Sequence, residues 1–252
     1  TAQRLVDGGI RIASLTNGSR LTGKLAEFFA HHAIWLRISL DAWDNESYTA
    51  SRKVREGEFS RLMRRIRDFI RLNGVCTLGV NLIVDHKNAR HVYDTVHLLM
   101  EIGVNNVKVS PCITSNDAQK NLAYHRQIFP LVRKQVEQMM NESPSDSFEL
   151  FDAYHEFDTK FGRDYEWCPY LQLLCVIGAD LNVYSCQDKA YTNCGLLGSI
   201  QHQRFAEFWI SGREKFFRIN PSHDCRHHCT ANRKNSMLHE YLQTHPDHQA
   251  FV

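Results

Sequence analysis

Several things are missing from this sequence, and each absence removes a class of function. None of its 252 positions begins an apolar run of the roughly 18 residues that a membrane-spanning helix needs. The first residues, Thr1-Ala2-Gln3-Arg4, do not lead a basic start into an apolar stretch, so no signal peptide is read and a cytoplasmic setting is expected. H-E-x-x-H is absent, which excludes a zincin. G-x-S-x-G, Walker A and G-x-G-x-x-G are absent too, and nothing points to a Ser–His–Asp hydrolase. Neither sign of charge dominates: 30 Lys and Arg against 28 Asp and Glu leave +2, which argues neither for nor against nucleic acid. There is no internal repeat and no low-complexity tract. The chain opens without Met, as a processed chain or a fragment would.

What is present is an ordinary globular balance, 43% hydrophobic and 23% charged, with strands and helices in alternation. Strands are expected at Ile10–Leu15, Ile34–Leu40, Val75–Val84 and Val107–Val109. Helices are expected at Lys24–His32, Glu58–Leu72, Ala89–Ile102 and Asp117–Met140. Glu58–Leu72 is the clearest, because Phe59, Leu62, Met63, Ile66, Phe69 and Ile70 repeat at i, i+3, i+4, i+7 and Asn73-Gly74 stops it. The pattern predicts βαβ units and a parallel sheet. Strands apolar at nearly every position predict a sheet covered on both faces. Four such strands leave an apolar edge unpaired, as if an N-terminal part were missing.

The polar segment Asn141–Ser147 marks the way out of a first domain, 1–150, and a second, 151–252, has a different texture. A β-hairpin is expected from Tyr170–Ile177 and Leu181–Cys186. Helices are expected at Gln203–Phe217 and Asn232–Gln243.

Six of the eight cysteines lie in this second stretch, spaced C-x6-C-x10-C-x7-C and, thirty residues on, C-x3-C. Without an export signal they read as reduced thiols or metal ligands rather than disulfides. The hairpin brings Cys168 near Cys186, and one helical turn would put Cys225 and Cys229 on one side. Two such pairs suit a tetrahedral zinc ion or an iron–sulfur cluster, and spacing alone does not choose. Cys175 alternates into the core, Cys194 is open to either reading, and Cys76 and Cys112 read as packing residues. His227 and His228 stand between two of the thiols as further ligand candidates or donors. The basic run Arg52–Arg71 lies on the outer face of the helix, diluted by Glu56, Glu58 and Asp68, and reads as solvated surface. At the strand ends, Thr16-Asn17-Gly18, Ser39-Leu40-Asp41 and Ser110-Pro111 offer hydroxyls, amides and a carboxylate, with Asn81 within the third strand. Parallel sheets bind ligands there, and these groups suit a nucleoside carrying an amino acid.

In that order, Thr16-Asn17-Gly18, Arg37-Ile38-Ser39-Leu40-Asp41, Tyr48, Arg52 and Gly79–Val84 followed by Asn88, the sequence resembles the radical S-adenosylmethionine (SAM) superfamily. Its C-terminal part is similar to the SPASM or shorter twitch extension. The residues that carry this are Cys168-Pro169-Tyr170, Asp180–Cys186, Gly195–Ile200, Phe208-Trp209, Cys225 and Cys229. The resemblance implies a partial (β/α)6 barrel lacking its first β/α units, plus a small α+β iron–sulfur domain. It implies an auxiliary [4Fe–4S] cluster on Cys168, Cys186, Cys225 and Cys229. It implies SAM near Asn17, Ser39, Asp41, Arg52 and Asn81, with a second [4Fe–4S] cluster in the full-length protein. The expected activity is hydrogen abstraction by a 5′-deoxyadenosyl radical from a small-molecule or peptide substrate. A reductant such as flavodoxin or ferredoxin would supply electrons, and neither membrane nor nucleic acid is expected as partner. The family's C-x3-C-x2-C loop is absent, so this chain alone is expected not to cleave SAM. The rival readings are a zinc-binding or interaction module on an α/β scaffold, and an RNA-binding protein using the basic helix.

Overall fold

The apolar stripe of Phe59, Leu62, Met63, Ile66 and Phe69 is buried along its length, and it fixes one side of Glu58–Arg71 against a sheet. The computed structural model describes residues 1–115, 117–142, 147–155, 162–226 and 228–244. His227 and most of the polar segment before Ser147 lie outside the described residues. The chain divides into two units, Thr1–Cys112 with Ala123–Phe157, and Ile113–Leu122 with Asp158–Val252.

The elements of the first unit follow α1 (Ala2–Asp7), β1 (Ile12–Thr16), α2 (Gly23–His32), β2 (Ala33–Leu40), α3 (Asn45–Arg52) and α4 (Glu58–Arg71). Then come β3 (Thr77–Val84), α5 (Val92–Ile102), β4 (Asn106–Pro111), the last residues of α6 (Ala118–His125), α7 (Phe129–Glu142) and β5 (Glu149–Asp152). The five strands are parallel and lie in sequence order, β1-β2-β3-β4-β5. Right-handed crossovers between sequential neighbours all fall on the same side. The helices therefore gather on one face, where Leu36, Ile38, Val80, Leu82, Val107 and Val109 meet Ile66, Val96, Leu99 and Val136. This is the winding of a barrel wall rather than of a doubly wound sheet.

The expectation of two covered faces is corrected here. Burial alternates along β4 with period two, and the same holds through most of β3. The face away from the helices carries Arg37, Ser39, Asn81, Asn106, Lys108 and Ser110, all only partly buried. These polar residues already stand at every second position in the sequence, which is the mark of a one-sided sheet. The helix expected over Asp117–Met140 is two helices with a turn at 126–128. Pro130 explains the break: it has no N–H and its ring conflicts with the carbonyl of residue 126, yet it is harmless in the first turn of α7. β5 is a fifth strand with no counterpart among the sequence expectations. Residues 150 and 151 both lie in it.

His125 is anchored within the first unit. It is 2% exposed, with Nε2 on the Cys112 carbonyl at 2.9 Å and Nδ1 on the Tyr154 hydroxyl at 2.9 Å. A carbonyl only accepts, so Nε2 carries the hydrogen and Nδ1 accepts from Tyr154. Burial depresses the His125 pKa below its ordinary value, against the Cys112 carbonyl, which raises it. The sign follows from linkage: below about pH 6.5 the unfolded chain takes a proton that the folded chain refuses, so stability is lost as pH falls from there toward the folded pKa. Urea midpoints at pH 7.5 and 5.5 are expected to differ by more in the wild type than in His125→Gln. Equal differences would remove His125 from the account.

In the second unit β6 (Val176–Ile177), β7 (Asn182–Tyr184) and β8 (Leu196–Ser199) form an antiparallel sheet in that order. The expected hairpin narrows to β6–β7: of the strand expected over Tyr170–Ile177 only Val176–Ile177 is extended, because Pro169–Gln172 forms a 3-10 turn, and β8 is a third strand. The unit also holds α8 (Phe205–Ile210), α9 (Pro221–Asp224) and α10 (Asn232–Gln243). The helix expected over Gln203–Phe217 stops at Ser211-Gly212, where Gly212 takes φ +57, and resumes as a 3-10 turn over Arg213–Phe217. The buried core is small: Leu171, Val183, Leu197, Phe208, Phe216 and Ile219. No described helix is long and apolar enough to cross a membrane.

Candidate functional site

Cys168, Cys186, Cys225 and Cys229 all line one cavity of about 70 Å³ in the second unit. Each arrives from a different turn. Cys168 precedes the 3-10 turn Pro169–Gln172. Cys186 follows β7 and caps the 3-10 turn Gln187–Lys189. Cys225 caps the short α9, and Cys229 follows in irregular chain. The single helical turn expected for Cys225 and Cys229 is not there, because Cys225 leaves helical geometry at φ −116, ψ 78. Cys175 packs on the apolar core of this unit. Cys194 is exposed and does not line the cavity; its thiol pKa is lowered, first by the Thr192 hydroxyl and also by Lys189. Cys76 packs on the core of the first unit, where burial pushes its thiol up to about 11, and Cys112 is likewise raised by burial.

The cavity holds several times the ~10–15 Å³ that one water needs. Among the described residues, no three His, Cys, Asp or Glu side chains gather tightly enough to hold a single ion. The four cysteines share the lining of that cavity. Burial raises the pKa of Cys168 and Cys186, and pushes Cys225 up to about 11. The opposing influences are donors and cations. The Asn235 amide donates to Cys168 Sγ at 3.2 Å, the Leu171 and Lys189 N–H groups bond the carbonyls of Cys168 and Cys186, and Lys189 and Arg163 lower Cys225. Lys189 is 5% exposed and donates to the Asp224 carbonyl at 2.7 Å. Four partly buried thiols on one cavity wall, with the Asn235 amide donating to one sulfur and two cations nearby, suit a polynuclear group that brings its own positive charge. The residues present fit an iron–sulfur cluster with four thiolate ligands.

In the first unit the candidate residues lie at or near the C-terminal ends of the strands. Gly18 takes φ +73, a backbone conformation that side-chain-bearing residues rarely adopt, which favours glycine there. That turn holds Asn17, whose Oδ1 accepts from the Ser19 N–H at 3.0 Å. After β2, Asp44 and Ser47 form a reciprocal capping box that starts α3. α3 then returns Arg52 to the strand end, where its Nε donates to Asp41 Oδ1 at 3.0 Å. Ser39 and Asn81 are register partners on β2 and β3, and Asn81 Oδ1 accepts from Ser110 Oγ at 2.9 Å. Asn17 and Arg52 line an open groove of about 680 Å³ with Tyr48, Arg55, Glu58 and Arg65.

Asn88, which follows Gly79–Val84 in the motif, has a positioning role that the structure adds. It is 4% exposed, and its Nδ2 donates to the Asp41 carbonyl at 3.1 Å and the Ile83 carbonyl at 2.7 Å, fixing the ends of β2 and β3 together.

No family model and no curated protein matches this sequence. Solved structures match in fold. Streptococcus suis SuiB bound to S-adenosylmethionine aligns with a TM-score of 0.54 at 13% identity, over 84% of this chain and 50% of that one. Native anSMEcpe with bound AdoMet aligns with a TM-score of 0.54 at 14% identity, over 90% of this chain and 71% of that one. The anSMEcpe complex with AdoMet and the Kp18Cys peptide gives 0.55 at 16% identity, over 83% and 59%. This chain thus spans about half the length of SuiB. What the likeness establishes is the fold: a parallel, singly wound α/β sheet of the kind found in SuiB and anSMEcpe.

Proposed function

We propose that this chain is part of a radical SAM enzyme, its sheet a partial barrel and its second unit a twitch-like module with one auxiliary [4Fe–4S] cluster on Cys168, Cys186, Cys225 and Cys229. The observation that carries the proposal is the meeting of those four thiols, from three separate segments, around one chamber. The fold supports it, since the SuiB and anSMEcpe structures that it resembles carry S-adenosylmethionine. Those proteins were also solved with peptides, the precursor SuiA and Kp18Cys, which favours a peptide substrate here. A flavodoxin- or ferredoxin-type reductant in the cytoplasm completes the reading.

When bound, cluster and SAM supply the electron transfer and radical chemistry. The chain's own residues bind and orient. Arg52 offers its guanidinium to the carboxylate of SAM while Asp41 holds it at Nε. Ser39 and Asn81 present a hydroxyl and an amide on the polar face of the sheet, and Asn17 caps the end of β1. The Asn235 amide stabilises the Cys168 thiolate in the second unit, and Lys189 and Arg163 offset the charge at Cys225.

Anaerobic reconstitution of the purified chain tests the proposal. The expected product is brown, with about four irons per chain. A colourless protein carrying one zinc would instead establish the zinc module, and the cluster reading would fall.

A further inference from the structure

Asn235 is 1% exposed and reaches the ligand set from α10. Its Nδ2 donates to Cys168 Sγ at 3.2 Å and to the Tyr165 hydroxyl at 3.2 Å, while its Oδ1 accepts from the Tyr170 N–H at 2.8 Å. Both amide hydrogens and the oxygen therefore have partners, and the partners dictate which end is which. The Tyr170 N–H can only donate, so it must face the oxygen. The Tyr165 hydroxyl spends its hydrogen on Asn232 Oδ1 at 2.7 Å, so it accepts from Asn235. Asn232 is oriented in turn, because its Nδ2 donates to the Gly162 carbonyl at 2.9 Å. The chain of donors thus runs in one direction, and it ends with an N–H aimed at Cys168 sulfur in a buried setting, where such a bond is strong.

A sulfur that ligates an iron cluster gains negative charge when the cluster is reduced, and an N–H aimed at it stabilises that state more than the oxidised one. We infer that Asn235 is a positioning residue that raises the reduction potential of the auxiliary cluster, through its N–H to Cys168 and with Tyr165 and Asn232 holding the amide in place. The inference rests on the cluster reading above. It adds which single side chain tunes the centre.

The test is a redox titration of the reconstituted wild type and Asn235→Leu, followed by electron paramagnetic resonance of the reduced cluster. With iron content equal, the variant is expected to hold about tenfold less reduced cluster at a given poise, equivalent to ~59 mV for a one-electron couple. Asn235→Leu also leaves the Tyr170 N–H without an acceptor, so a second measurement uses the wild type alone. Wild-type protein labelled with 15N only at asparagine is expected to give a nitrogen coupling in pulsed spectra of the reduced cluster. Equal iron with an unchanged ratio, or the absence of that coupling, overturns the inference while leaving the cluster reading intact. A wild type that takes up no iron overturns both.

Discussion

A Cys186→Ala chain is expected to leave anaerobic reconstitution without its four irons and with a loosened second unit. Cys186 stands where β7 ends and the turn Gln187–Lys189 begins, so its sulfur is both a wall of the cavity and the link from hairpin to ligand set. The unit has little else to rely on, with six buried apolar residues in its core. In small metal-dependent domains the bound group contributes on the order of 10 kcal/mol to folding, far more than a core of this size supplies on its own. Removing one of four thiolates is therefore expected to abolish stable cluster binding and to lower the melting temperature of this unit. Iron analysis and circular dichroism on the same sample read both effects. Two controls separate ligand loss from cysteine loss in general. Cys194→Ala, outside the cavity and exposed, is expected to retain full iron. Cys175→Ala, packed on the core, is expected to retain iron at some cost in stability. Unchanged iron in Cys186→Ala would refute its assignment as a ligand.

Most of what positions these sites was legible in the sequence, for identifiable reasons. Long periodic segments such as Glu58–Arg71 and Asn232–Gln243 came out at their observed places, since a sustained apolar stripe is a strong local signal. The elements missed are the helices α1, α3 and α9 and two short strands. β5 has four residues and β8 has four, too few for alternation to register, and both are held by pairing with strands distant in sequence. The two long helices that proved broken fail at Pro130 and at Ser211-Gly212, where a local rule outweighs a favourable stripe. The one-sided sheet was recorded in plain sight at Arg37, Ser39, Asn81 and Lys108, but a strand's second face is easily hidden when the first is uniformly apolar. The four cysteines could be picked out by crowding and Asn88 by its place in the motif, whereas Asn235 could not. A buried amide is defined by the groups that converge on it, and those of Asn235 include Tyr170, 65 residues away in the chain.

Replacing Arg52 by Ala is expected to weaken S-adenosylmethionine binding by roughly 10- to 100-fold in a chain extended to carry the C-x3-C-x2-C loop, the range for a lost charge-assisted hydrogen bond. The geometry makes a sharper statement than loss of charge. Arg52 uses Nε on Asp41 at 3.0 Å, and its NH2 reaches the Ser39 carbonyl only at 3.5 Å. A guanidinium has five donors in a planar fork, so with Nε engaged the terminal nitrogens remain available for a second carboxylate. Asp41 in this arrangement aims Arg52 and does not compete with the ligand for it. Arg52→Lys should then recover little, because a lysine cannot hold Asp41 and a ligand carboxylate in the same fixed plane. Asp41→Asn keeps an acceptor for Nε and should cost less than Arg52→Ala. The pair is partly open, with side chains 30% and 33% exposed, so its attraction is screened and its value lies in orientation rather than stability. Equilibrium dialysis with labelled S-adenosylmethionine ranks the three variants. The expected order of affinity is wild type, then Asp41→Asn, then Arg52→Lys and Arg52→Ala close together. Full affinity in Arg52→Lys would reduce Arg52 to a point charge, and the oriented fork would no longer be needed to explain how this end of the sheet holds its ligand.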